Sequence, residues 1–179
     1  PTMDCAFFCG QEHKGNPWSD WGDSVAMGDV CYMSIGDHQS PRGTAQVYEY
    51  NRKTKKLRLL FDAKKFLEST PGALPEGMNY TPGKIHCRLE MGTDGKLYFS
   101  THRGAPSTTT DAYGYQGDWI FSLDPVTTQA EIVAAQPIPK HSIPAGFLDR
   151  DRMIFYGGTA DWKDAPDKEW QQRRMEVYA

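Results

Sequence analysis

The chain has 179 residues with a net charge of −3 and 24% charged residues, and no run of Lys or Arg is long enough to argue for nucleic acid. No stretch approaches the ~18 consecutive apolar residues that a membrane-spanning helix needs. These totals describe a globular protein with a real core and no membrane span, whose four cysteines leave the redox compartment open.

The first segment, 1–27, carries CAFFC at Cys5 to Cys9 and NPWSDWGD at 16–23. The cysteine spacing fits neither a CxxC redox motif nor a haem attachment site, and leaves open a disulfide or a metal shared with His13. Trp18 and Trp21 can line a ligand cleft or pack between structural repeats. From residue 28 a pattern begins that governs the rest. GDVCYMSIGDH (28–38) and VYEYNRKTKKLRLL (47–60) predict two strands and a hairpin, rich in aromatic and β-branched residues and bounded by polar turns. The run Arg52–Lys56 reads as a solvated turn. DAKKFLES (62–69) predicts a short helix with Asp62 as its cap and Phe61, Phe66 and Leu67 on one side.

The same pattern then recurs. TDGKLYFSTHRG (93–104) and IFSLDPVTTQAEIV (120–133) align with the first copy, Tyr32 and Ser34 matching Tyr98 and Ser100, and Val47, Tyr48, Thr54 and Leu59 matching Ile120, Phe121, Thr127 and Ile132. In this second copy four strands are predicted, at 84–91, 96–101, 118–123 and 130–134. A third copy, DRDRMIFYGGT (149–159) and MEVYA (175–179), is incomplete; its strands are predicted at 142–148, at 152–156 and from Met175, with a short helix over 164–174. Cys31 and Cys87 each fall in a predicted strand, as buried free thiols.

Four-stranded repeats of about 40 to 50 residues imply an all-β fold of the β-propeller kind. We therefore expect a single partial β-propeller over 1–179, with about three blades near 20–75, 80–135 and 140–179, and the chain cut at both ends. The remainder of the ring is expected from missing sequence or from another chain.

In such a blade the start of the first strand and the end of the second share one rim. His86 and His141 open first strands, while His38, after Asp37, and His102 follow second strands, so four of the five histidines are predicted to converge on one rim. Imidazole supplies a metal ligand or a base near neutral pH. The candidate catalytic residues are His86, His102, His141 and Tyr80. The candidate ligands of a divalent metal ion are Asp37, His38, His86 and His141. Arg42, Arg88 and Arg103 fall near the same rim, where a guanidinium suits a carboxylate or sulfate, and Tyr113 and Tyr115 in the long loop 101–118 can stack on a sugar; these five are the candidate substrate-binding residues. The turn NYTPGKIH (79–86) and that loop are the segments expected to be positioned for function.

DGKLYFST and the LDPVTTQ turn resemble the irregular, non-WD propellers, a superfamily that includes seven-bladed polysaccharide lyases such as oligogalacturonate lyase, besides lactonases. The resemblance covers most of the chain from Gly28 onward and is specific for the fold; no WD, Kelch or Asp-box motif is present. It implies a seven-bladed ring and histidines on the central face that bind metal or substrate. Two functions are expected: a lyase or hydrolase acting on an acidic carbohydrate or other small anionic ligand, or a non-catalytic binding or assembly module. A periplasmic or secreted location is the accompanying expectation.

Overall fold

The computed structural model describes residues 20–37, 42–104 and 111–160, together with Ala6, Phe8 and the backbone of Val177–Tyr178. The chain is all-β, with one short α-helix among the described residues. Strands β1 (Val25–Met27), β2 (Val30–Gly36), β3 (Ala45–Asn51) and β4 (Lys56–Asp62) form an antiparallel sheet in sequence order. Strands β5 (Glu90–Met91), β6 (Leu97–Ser100), β7 (Trp119–Leu123) and β8 (Ala130–Ala135) form a second sheet in the same order. Strands β9 (Ser142–Asp149), β10 (Ile154–Ala160) and β11 (Val177–Tyr178) make the third. The 164–174 helix expected from the sequence lies outside the described residues.

The repeat seen in the sequence is reproduced in backbone detail. Between β3 and β4 the Asn51 Oδ1 accepts from the amides of Lys53 and Thr54, at 3.0 and 3.1 Å, and Lys55 turns left-handed with φ 57°. Between β7 and β8 the Asp124 Oδ1 accepts from Val126 and Thr127, at 2.7 and 3.2 Å, and Thr128 has φ 60°. A short acceptor side chain thus closes each hairpin by bonding to the amides two and three residues on. Helix α1 (Ala63–Ser69) follows β4, and Asp62 caps it by accepting from the Lys65 amide at 3.0 Å. The Asp62 carboxylate is held in turn by Thr44 Oγ1 and Gln46 Nε2, at 2.7 and 2.8 Å.

Alternation along the second sheet gives it two buried faces. Leu97 pairs with Leu123 and Phe99 with Phe121 on the side facing the first sheet, where Phe61, Phe66, Phe99 and Phe121 pack with ring centroids 5.1–5.8 Å apart. On the opposite side Ile120 joins Ile143, Leu148 and Phe155 of the third sheet, with Tyr98 packed against them. Stacking of sheet upon sheet therefore forms the core.

The leading segments of the three sheets meet along one edge. The Leu89 amide donates to Asp23 O at 3.1 Å, Ile143 N donates to Thr101 O at 3.3 Å, and Ser100 Oγ donates to Ile143 O at 2.7 Å. A strand was predicted across 84–91, but only Glu90–Met91 joins the ladder. Upstream of it Cys87 substitutes side-chain for main-chain bonding: Ser100 N donates to its sulfur at 3.1 Å and the thiol donates to Ser100 O at 3.4 Å. Burial pushes that thiol up to about 11, so it stays protonated.

Because both faces of the second sheet are covered, truncation on either side should be costly. Phe121→Ala is expected to lose about 3–5 kcal/mol and Ile120→Ala about 2–5 kcal/mol in denaturant titration, whereas Val126→Ala in the exposed β7–β8 turn should stay within about 0.5 kcal/mol. An Ile120→Ala protein as stable as the parent would contradict the two-sided packing.

Candidate functional site

At the edge where the leading segments meet, an antiparallel bridge joins Lys84 to His102, and His102 N donates to Lys84 O at 2.8 Å. The end of β6 is thereby fastened to the segment that carries His86. The two imidazoles lie with ring centroids 5.3 Å apart, and His86 also stacks on Trp21 at 6.1 Å. Lys84 Nζ sits 4.5 Å from the centre of the Trp21 ring, a cation–π contact.

Both imidazoles are oriented by carbonyls. His102 Nδ1 lies 2.8 Å from Arg103 O, and His86 Nδ1 lies 3.2 Å from Pro144 O. A carbonyl can only accept, so each Nδ1 carries the proton and, in the neutral ring, each Nε2 keeps its lone pair. Burial lowers His102 from the ordinary 6.5 to about 3, with the charges of Lys84 and Arg103 working in the same direction, so this ring is neutral at pH 7. Lys84 is lowered as well, first by burial and then by the Arg103 charge.

Next to His102 in the chain, Thr101 bonds a buried carboxylate that the residue pattern barely signalled. Asp118, fully buried just before β7, accepts from Tyr115 Oη at 2.8 Å, Thr101 Oγ1 at 2.9 Å and Tyr80 Oη at 3.3 Å. Burial raises its pKa to about 6; the three hydroxyls and the nearby Arg103 pull the other way but less strongly. The phenols of Tyr80 and Tyr115 are pushed well above their ordinary value, chiefly by the same burial. The one signal for Asp118 was its position, an acidic residue directly before the apolar run WIFSL.

Several expected roles change in consequence. Tyr80 and Tyr115 are each only 1% exposed and donate to Asp118, so neither presents a hydroxyl to a ligand from outside. His141 does reach this edge, its carbonyl accepting from Asp118 N at 3.2 Å, but its ring is buried and its Nδ1 bonds Pro139 O at 2.9 Å. Arg42 is paired with Glu68 and donates to Asn79 Oδ1 at 3.0 Å, which ties it to α1 and the 79–81 turn. Arg88 is exposed, 4.0 Å from Glu90, and Tyr113 is half-buried against the core. Asp37 is buried, its amide bonded to Thr44 O at 2.9 Å. His38 lies outside the described residues, as do Cys5, Cys9, His13 and Trp18.

Among the described residues no three His, Cys, Asp or Glu side chains converge as a metal site, so Asp37, His86 and His141 are not assembled into one. Nor is any helix there long and apolar enough to cross a membrane. Comparison with protein-family models, curated proteins and solved structures finds no match to this chain.

The opposed shifts of His102 and Asp118 have a sign that can be tested. His102 is depressed when folded, so its neutral ring costs stability as pH falls below 6.5, about 2 kcal/mol between pH 7 and pH 5. Asp118 is raised when folded, so it contributes stability below its unfolded 3.8 that is lost as pH rises through about 6; between pH 7 and 5 it offsets about 1 kcal/mol. His102→Asn should therefore flatten the acid loss and Asp118→Asn should steepen it. Unfolding titrations at pH 5 and 7 in which both variants track the parent would refute these assignments.

Proposed function

We propose that the three sheets are consecutive blades of a β-propeller, completed by sequence outside this chain or by another chain. We further propose that the edge formed by Lys84, His86, His102 and Arg103 is the rim at which an acidic carbohydrate binds. The propeller reading is supported by the repeated meander, by the Asn51 and Asp124 hairpins that follow one design, and by leading segments that lie side by side.

One observation carries the functional reading: a neutral imidazole with an unprotonated Nε2 stands beside a second imidazole and feels the charges of Lys84 and Arg103. Two like charges held close together against low-dielectric surroundings favour an anion. A uronic acid carboxylate placed by Lys84 and Arg103 would have its neighbouring C–H acidified, because the same cations stabilise the enolate that forms. His102 Nε2 is the base for that proton. The electron pair of the C–H bond then forms the carbon–carbon double bond as the carbon–oxygen bond breaks, and the departing glycosidic oxygen takes a proton from water, which is a lyase reaction. The Nε2 of His86, whose Nδ1 proton is likewise held by a carbonyl, would suit a divalent ion, which would add charge stabilisation while His102 Nε2 stays free for the proton.

A second reading, a non-catalytic binding module, is favoured by the burial of Tyr80, which takes the candidate catalytic phenol out of reach of a ligand. A galacturonate oligosaccharide separates the two. For a lyase, the wild-type chain yields unsaturated product, and His102→Asn lowers its ultraviolet absorbance signal about 10²- to 10⁴-fold. Arg103→Ala weakens binding about 10- to 100-fold under either reading. Binding without product would establish the module; no binding at all would refute the rim as a carbohydrate site.

A further inference from the structure

The segment Thr101–Gly104, which carries His102 and Arg103, is anchored to Asp118 at both of its ends. At the first end Thr101 Oγ1 donates to Asp118 Oδ1 at 2.9 Å, while the same hydroxyl accepts from Trp119 N at 3.1 Å. At the other end the Gly104 amide bonds the Tyr80 hydroxyl, which itself donates to Asp118 Oδ1 at 3.3 Å. The other carboxylate oxygen is occupied differently: Tyr115 Oη donates to Oδ2 at 2.8 Å, and Tyr115 belongs to the run leading into β7. One carboxylate oxygen therefore serves the rim dipeptide, and the other serves the loop base.

We propose that Asp118 is the positioning residue of the rim, holding His102 and Arg103 in place through Thr101 and through Tyr80. The functional weight of that placement rests on the carbohydrate reading above; the placement itself does not. A carboxylate suits the task because its two oxygens accept from several donors at once, and the protein supplies three hydroxyls. His102 and Arg103 themselves lie at the start of the long connection after β6, where the ladder no longer dictates their course. Their main-chain restraints in the ladder sense are the bridge to Lys84 and the Thr101 amide bonded to Trp119 O. Two side-chain anchors then fix what the backbone leaves adjustable.

The asymmetry between the two oxygens provides the test. Tyr80→Phe and Tyr115→Phe each delete one buried hydroxyl bonded to the same carboxylate, so a purely structural Asp118 makes them equivalent. A positioning Asp118 makes them different at His102. Two-bond proton–nitrogen spectra of the imidazole report its tautomer without any ligand. Tyr80→Phe and Thr101→Val should each replace the single Nδ1–H tautomer of His102 by a mixture, while Tyr115→Phe and Thr101→Ser, which keeps the hydroxyl, leave it unchanged. Thermal unfolding of all four gives their stability, and if Tyr80→Phe does not fold, the Thr101 pair still decides the matter. Unchanged His102 signals in Thr101→Val, or a Tyr115→Phe effect as large as that of Tyr80→Phe, would overturn the proposal. Because these spectra need no sugar, absence of carbohydrate binding would remove the proposed function and leave this result standing.

Discussion

A β-sheet with apolar side chains on both faces has to be covered twice, and the second sheet obeys that requirement. Its Leu97, Phe99, Phe121 and Leu123 go to one neighbour, and Ile120 with Tyr98 goes to the other. A single covered face would have left a meander with one polar side, the commoner arrangement for antiparallel sheets. Covering both instead stacks three sheets and brings their leading segments to one edge. The hydrogen bonds from Leu89 to Asp23 and from Ile143 to Thr101 are consequences of that stacking, and so is the meeting of His86 with His102.

The same stacking creates a polar problem where the sheets converge. Asp118 directly precedes β7 at a point enclosed by the 79–81 turn, the end of β6 and the chain leading to β9, so its carboxyl cannot reach water. A buried carboxylate without partners would cost several kcal/mol. Tyr80, Thr101 and Tyr115 meet that cost, and they come from three separate stretches of chain. Burial still prevails over these bonds in setting the proton affinity, which is why Asp118 is raised rather than lowered. Two tyrosines that would otherwise line a loop surface are thereby drawn inside.

Much of this architecture was legible from residue patterns because it depends on local chemistry. The hairpins follow from Asn51 and Asp124, which carry their own turn acceptors, and α1 follows from Asp62 at its cap. The proximity of His86 and His102 followed from the repeat, since adjacent antiparallel strands put the start of one beside the end of the next. The fate of Tyr80 and Tyr115 was not legible, because it depends on a carboxylate 38 positions from Tyr80 that reads locally as part of a turn. The shortness of β5 was hidden for a similar reason. Cys87 looks like a strand residue, yet its thiol takes over bonds that a main-chain ladder would otherwise make. His141 meets Asp118 through its carbonyl, but its ring is buried, with Nδ1 held by Pro139 O.

The electrostatics of the edge give the proposed rim an internal logic. Protonating His102 would put a third cation beside Lys84 and Arg103 in a poorly solvated place, and the protein avoids this by keeping the ring neutral. The positive field and the basic nitrogen are thus divided between different side chains. An arriving carboxylate relieves the repulsion between Lys84 and Arg103, and with that relief the penalty on a protonated His102 falls. An anion bound at this edge would therefore ease the part of the His102 shift that comes from Lys84 and Arg103, leaving the larger part set by burial. An uncharged sugar would leave both the repulsion and the weak basicity as they were, so under the proposed reading the three side chains would favour an acidic ligand over a neutral one.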